Sequence, residues 1–249
     1  MARRLGLGLA ALLVAGCGPD FLRDSVELDA ALVPAIEFAT EREAGPARAA
    51  MVELAAAWDE YRARYHDYRS DPAWQAAFAE IDTLVADVAD LVADGDDLAF
   101  AAENLVEMRM MLAELRADAG IEHFPDRFGE LWEPVAELQE FVRFRDTSAV
   151  APADVQRMQE LADEFIDILA DIIEAPFDPE RVGFDAARAE ALELALDALA
   201  DAGKALDEAL AGTDRDRMLR AARAVRPAYF DAYRLFGDYG FLAAGSEGQ

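Results

Sequence analysis

Between Ser25 and Asp238 the chain never alternates apolar and polar residues over the length of a strand. It runs in blocks of about twenty residues, with apolar positions three and four apart, and Pro, Gly or Asp closes each block. This period admits helices and excludes sheets, so the fold class expected is all-α. The blocks predict eight helices, near 25–43, 46–69, 72–93, 96–119, 126–145, 152–174, 184–210 and 214–238. Abundant Ala, Leu, Glu and Arg, all strong helix formers, agree. Asp71-Pro72, Asp96 and Thr213-Asp214 supply N-caps and a proline that a first turn tolerates. Pro34 and Pro134 fall inside blocks, where a helix is expected to kink or start.

The second four blocks repeat the first. Pro34 and Glu37 match Pro134 and Glu137, and Met51, Leu54 and Trp58 match Met158, Leu161 and Phe165. Ile81 and Val85 match Leu192 and Leu196, and Ala102 and Leu115 match Ala222 and Leu235. The offset grows from 100 (Pro34 to Pro134) through 107 (Met51 to Met158) and 111 (Ile81 to Leu192) to 120 (Ala102 to Ala222). Loops that lengthened between helices of fixed length produce such a drift. The expected architecture is two tandem, internally duplicated up-down four-helix units, about eight helices in all, at 25–122 and 123–242, followed by a flexible tail at 243–249.

Charge and residue counts narrow the function. With 23 basic against 51 acidic side chains the net charge is −28, which opposes any nucleic-acid partner. One Cys and two His leave no disulfide framework, zinc finger or iron–sulfur cluster. His66 and His123 lack the Glu-x-x-His spacing of di-iron bundles and read as solvated side chains. Met108, Met110 and Met111 cannot share one helix face, so they read as core filling in preference to a copper site. The acidic run Asp24, Asp29, Glu37, Glu41 and Glu43 reads as a solvated face. No nucleophile elbow, P-loop or dinucleotide fingerprint is present, and no cofactor or metal is expected.

The start of the chain is the most specific segment. Arg3 and Arg4 precede an apolar run from Leu5 to Val14, about the length of a signal-peptide core and too short to span a bilayer. Val14-Ala15-Gly16-Cys17 follows. This tag resembles the bacterial lipoprotein signal, with its aliphatic residue, two small residues and cysteine. The resemblance implies removal of residues 1–16, a diacylglycerol thioether and an acyl chain such as palmitate on Cys17, and a lipidated tether over 17–24. Loss of the leader arginines takes the charge to about −30. Gly18, where Asp would signal retention at the inner membrane, implies the outer membrane, facing the periplasm.

Two tyrosine stripes complete the candidates. Trp58, Tyr61, Tyr65 and Tyr68 share one helix face, and Tyr229, Tyr233 and Phe236 share another. Buried phenols need hydrogen-bond partners or a wet pocket. Tyr61, Tyr65, Tyr229 and Tyr233 are therefore the candidate ligand-binding residues, with core packing as the other reading of both stripes. Nothing in the sequence assembles a reaction centre, so the protein is expected not to be an enzyme. The expected role is binding or scaffolding, with the membrane reached through the N-terminal lipid and an envelope protein as partner. The alternative is a periplasmic bundle that binds a metal or a small ligand.

Overall fold

The computed structural model describes residues 19–95, 97–142 and 150–246. Among these the chain forms α-helices and short 3-10 turns, with no strand. The helices are α1 (Pro19–Thr40), α2 (Ala44–Tyr65), α3 (Pro72–Asp94), α4 (Leu98–Asp118), α5 (Arg127–Val142), α6 (Pro152–Glu174), α7 (Ala186–Leu210), α8 (Arg215–Tyr233) and α9 (Phe241–Ser246). Single 3-10 turns lie at Phe124–Asp126, Pro179–Val182 and Arg234–Phe236. The fold is all-α, as the sequence period requires.

α3 illustrates why these blocks fold as they do. The Asp71 carboxylate accepts a hydrogen bond from the Ala73 N–H, and Pro72 occupies the first turn. Gly95, at φ 72°, closes the helix in the left-handed region. Between the caps, Trp74, Phe78, Ile81, Val85, Val88 and Val92 are all buried. Their alternating spacing of four and three makes one continuous apolar stripe.

α1 packs against α2 and α4, α2 against α3, and α3 against α4. α5 to α8 pack in the same cyclic order, with α5 against α8. The seam between the two groups is made by α1 against the turns at 179–182 and 234–236, by α4 against α5, and by α2 against α9. α1 thus has neighbours in both groups. That is why Asp29 and Glu37 are buried, at 5% and 7% exposure, and not solvated as the acidic pattern suggested; Asp24, at 4%, is covered by Arg64 and Tyr65 of α2. Glu41 and Glu43 do face water.

Helix bounds differ from expectation at a few ends. α1 starts at Pro19, so residues 19–24 are helical where a tether was expected, and Phe21 is buried at 1% exposure. α9 covers the start of the expected tail. Cys17, the rest of the expected signal segment and tether start at 1–18, and residues 247–249 lie outside the described residues.

Pro34 and Pro134 lie within α1 and α5 and mark no helix start. A proline inside a helix leaves the carbonyl four residues earlier without its donor. For Pro34 that carbonyl belongs to Ala30, and the N–H of Asp238 bonds it at 2.7 Å. The gap in α1 thus docks the turn that follows α8. Met51, Met108 and Met158 are core residues, while Met110 is half exposed.

Candidate functional site

On α4, Leu105, Arg109, Leu112 and Arg116 are all buried. Their spacing of four, three and four lays two arginines on the apolar stripe of the helix, two turns apart. Each meets a different environment. Arg116 turns its Nε and Nη2 edge to Asp126, with Nε to Oδ2 at 2.9 Å and Nη2 bonded to Oδ1. This is the two-point carboxylate grip for which a planar guanidinium is shaped. Its Nη1 faces Asp29 Oδ1 at 3.5 Å. Asp29 Oδ2 is bonded by His123 Nε2 at 2.6 Å.

Burial alone pushes the Asp29 carboxyl up. Arg116, His123 and Arg109 around it together hold it below the usual carboxylate range. His123, expected at the surface, is 5% exposed. Asp29 reaches it across the first turns after α4 and fixes it there. Its other ring nitrogen, Nδ1, meets no protein group.

Arg109 is 3% exposed and has no carboxylate in its grip. Its Nη1 donates to the Tyr229 hydroxyl at 3.0 Å, and that hydroxyl donates to the Phe128 carbonyl at 3.0 Å. The Tyr233 ring lies 5.2 Å from the guanidinium carbon, in cation–π range. Nε and Nη2 have no hydrogen-bond partner in the protein. Across the helix pair stands Gly129. A Cβ there would lie 3.6 Å from Arg109 Nε and 3.9 Å from Nη2.

Arg109, His123 and Gly129 all line a cleft of about 1360 Å³. One wall is α4, through Val106, Met110, Ala113 and Ala117, and the facing wall is α5, through Trp132 and Ala136. Phe124 and Phe177, with ring centroids 4.7 Å apart, close one end. Exposed Glu114, Glu130 and Glu133 form the mouth. An apolar trough with a few buried polar groups at its base is the usual form of a small-molecule site.

The four candidate tyrosines divide between two places. Tyr61 and Tyr65 pack on Phe21, with Tyr61 hydrogen-bonded to Ser25 Oγ at 3.2 Å and Tyr65 donating to Asp24 Oδ2 at 2.8 Å. Tyr229 and Tyr233 pack on Phe128 and against Arg109, behind the lining of the α4–α5 cleft. Tyr61 lines a smaller cleft of about 540 Å³ between α1 and α2. The hydroxyls of Tyr61, Tyr65 and Tyr229 have hydrogen-bond partners, and the two pairs do not line one cavity. Arg62 pairs with Asp82 at 2.8 Å, and Arg234 with Glu37 at 2.9 Å, which Tyr239 also bonds.

The residues that organise the large cleft, Arg109, Arg116, Asp29 and His123, were not among the candidates. An arginine on an otherwise apolar helix stripe was the available signal. Among the described residues no group of three His, Cys, Asp or Glu side chains is placed to hold a metal ion. No protein-family model, no curated protein and no solved structure matches the chain.

Proposed function

We propose that this chain is a lipoprotein of the cell envelope that binds a small molecule in the α4–α5 cleft without transforming it. The lipobox tag supports anchoring at Cys17, in the outer membrane and facing the periplasm. One observation carries the binding role: the cleft is walled by apolar side chains, and a buried arginine at its base keeps two donors unmatched by any protein group. Buried donors ordinarily have partners, so an unmatched pair beside a cleft is where a ligand atom is wanted. No described helix is long and apolar enough to cross a membrane, so attachment is assigned to the lipid.

The repeated helix pattern is read as an ancient duplication of a four-helix unit. Its support is that Met51, Leu54 and Trp58 on α2 and their counterparts Met158, Leu161 and Phe165 on α6 are all buried.

Expression of the full-length chain in a bacterium with an outer membrane, in the presence of labelled palmitate, tests the anchor. The wild type is expected to take the label and fractionate with the outer membrane, and Cys17→Ala to lose the label. An unlabelled wild type overturns the anchoring. For the cleft, a solvatochromic apolar dye is expected to bind one per chain, and Ala113→Trp, which fills the trough from its wall, to abolish that binding. Dye binding unaffected by Ala113→Trp overturns the cleft as the site.

A further inference from the structure

We propose that the cleft ligand is an apolar monocarboxylate whose carboxylate is gripped by the Nε and Nη2 edge of Arg109 and whose body lies along the α4–α5 trough. The inference deepens the binding role just given and rests on it.

The internal comparison is between two arginines seven residues apart on α4. Arg116 offers its Nε and Nη2 edge to the carboxylate of Asp126. Arg109 offers the same edge to no protein group, although it is buried as deeply. The two nitrogens are parallel donors with a spacing that fits the two oxygens of a carboxylate. A neutral carbonyl or hydroxyl would satisfy one of them and leave the other buried and unmet.

Gly129 stands over the face of the guanidinium, on the same cleft lining. Gly129 lines the trough, and the volume its missing Cβ would fill begins 3.6 Å from Nε. A Cβ there would be as far from Cζ as from Nη2, at 3.9 Å, so the space it leaves lies above the guanidinium plane and not in line with the two donors. Gly129 lies in the first turn of α5, where its backbone does not require glycine: its φ is not in the left-handed region. The absent side chain therefore has a spatial consequence and no conformational one.

Charge selects the rest of the molecule. Glu114, Glu130 and Glu133 stand with further acidic side chains on a lining that also carries Arg127 and Arg181, in a chain at −28 overall. Charges within about 10 Å of an entering anion still act on it at ordinary ionic strength. A phosphate dianion meets about twice the repulsion of a monoanion, and an inorganic anion buries no apolar surface in return. A monocarboxylate with a long apolar body meets the least opposition and gains from Val106, Ala113, Trp132 and Phe124 along the walls. The volume of about 1360 Å³ accommodates an extended body and not merely a ring.

The test uses the full-length lipidated protein in nanodiscs of neutral phospholipid, with empty nanodiscs as the blank. Octanoate, octanol and octylamine are titrated while the fluorescence of the cleft-lining Trp132 is followed over the constant background of Trp58 and Trp74. Octanoate is expected to saturate with a Kd about tenfold or more below that of octanol, the margin of a charge-assisted hydrogen-bond pair. Arg109→Lys, which keeps the charge and loses the paired planar donors, is expected to weaken octanoate about tenfold and leave octanol unchanged. Arg109→Met is expected to erase the preference for octanoate.

Octanol binding as tightly as octanoate, or octylamine binding tightest, overturns the carboxylate assignment while leaving the cleft a binding site. Full octanoate affinity in Arg109→Lys likewise overturns it. Failure of all three probes to perturb Trp132 overturns the binding role itself.

Discussion

Asp29 carries a negative charge into the middle of the molecule and is met there by Arg116 and His123. Replacing one partner of a buried ionic cluster leaves the others uncompensated, at a cost of about 3 kcal/mol or more. Asp29→Asn is therefore expected to lower the urea midpoint at pH 7 with an unchanged slope. The pH dependence has a definite sign. The folded carboxyl lies below its ordinary value of 3.8, so the unfolded chain binds the proton first. The stability it contributes is present above that value and drains as the pH falls through it. The variant's stability is expected to decline less than the parent's between about pH 5 and pH 3, which urea titrations at several pH values check. A steeper decline in the variant would show that Asp29 is not held in its charged form. Glu37 works in the opposite direction. Burial raises it most, and Glu41 and Glu43 add to the rise, while Tyr239 and Arg234 partly offset both.

At the scale of elements, two helical glycines have opposite consequences. Gly203 is buried in α7, and a Cβ there would lie 2.7 Å from Cε1 of Phe165, which is itself fully buried on α6. Alanine would gain about 1 kcal/mol of helix propensity and lose about 1–3 kcal/mol to overpacking. Gly203→Ala is expected to lower the thermal midpoint by several degrees in a circular-dichroism melt. Gly129→Ala, with no atom nearer than 3.6 Å, is expected to hold or raise it. A rise for Gly203→Ala would mean that α6 and α7 part easily. Helix ends were less legible than helix interiors. The block at 152–174 coincides with α6, because Pro152 and Pro176 bracket it. The start of α1 at Pro19 was hidden, because the burial of Phe21 depends on Tyr61, Tyr65 and Trp74 from two other helices.

For the whole molecule, the question is whether the two groups of helices are one cooperative unit. The expected boundary between residues 122 and 123 separates Asp29 from His123 and Arg116 from Asp126. Arg109 reaches Tyr229, Arg234 reaches Glu37, and Arg226 reaches the Thr40 carbonyl and Glu41 across the same divide. Separating the groups would expose several charged residues that only the other group satisfies. Calorimetry is expected to give one transition with equal calorimetric and van't Hoff enthalpies. Two resolved transitions would show that each group is stable alone.

The all-α class and the number of long helices were written in the sequence by itself. They follow from a local period and from breakers that act within a few residues, and neither depends on what a helix packs against. Only the tertiary structure decided which polar residues lie inside. Asp29 lies within α1 and Glu41 just past its end, with the same carboxylate chemistry, and what separates them is whether α4 and the turn after α8 cover that side. The cleft was invisible for the same reason. Arg109, Gly129 and Tyr229 come from three helices, and burial belongs to the space between helices, which no single segment of chain encodes.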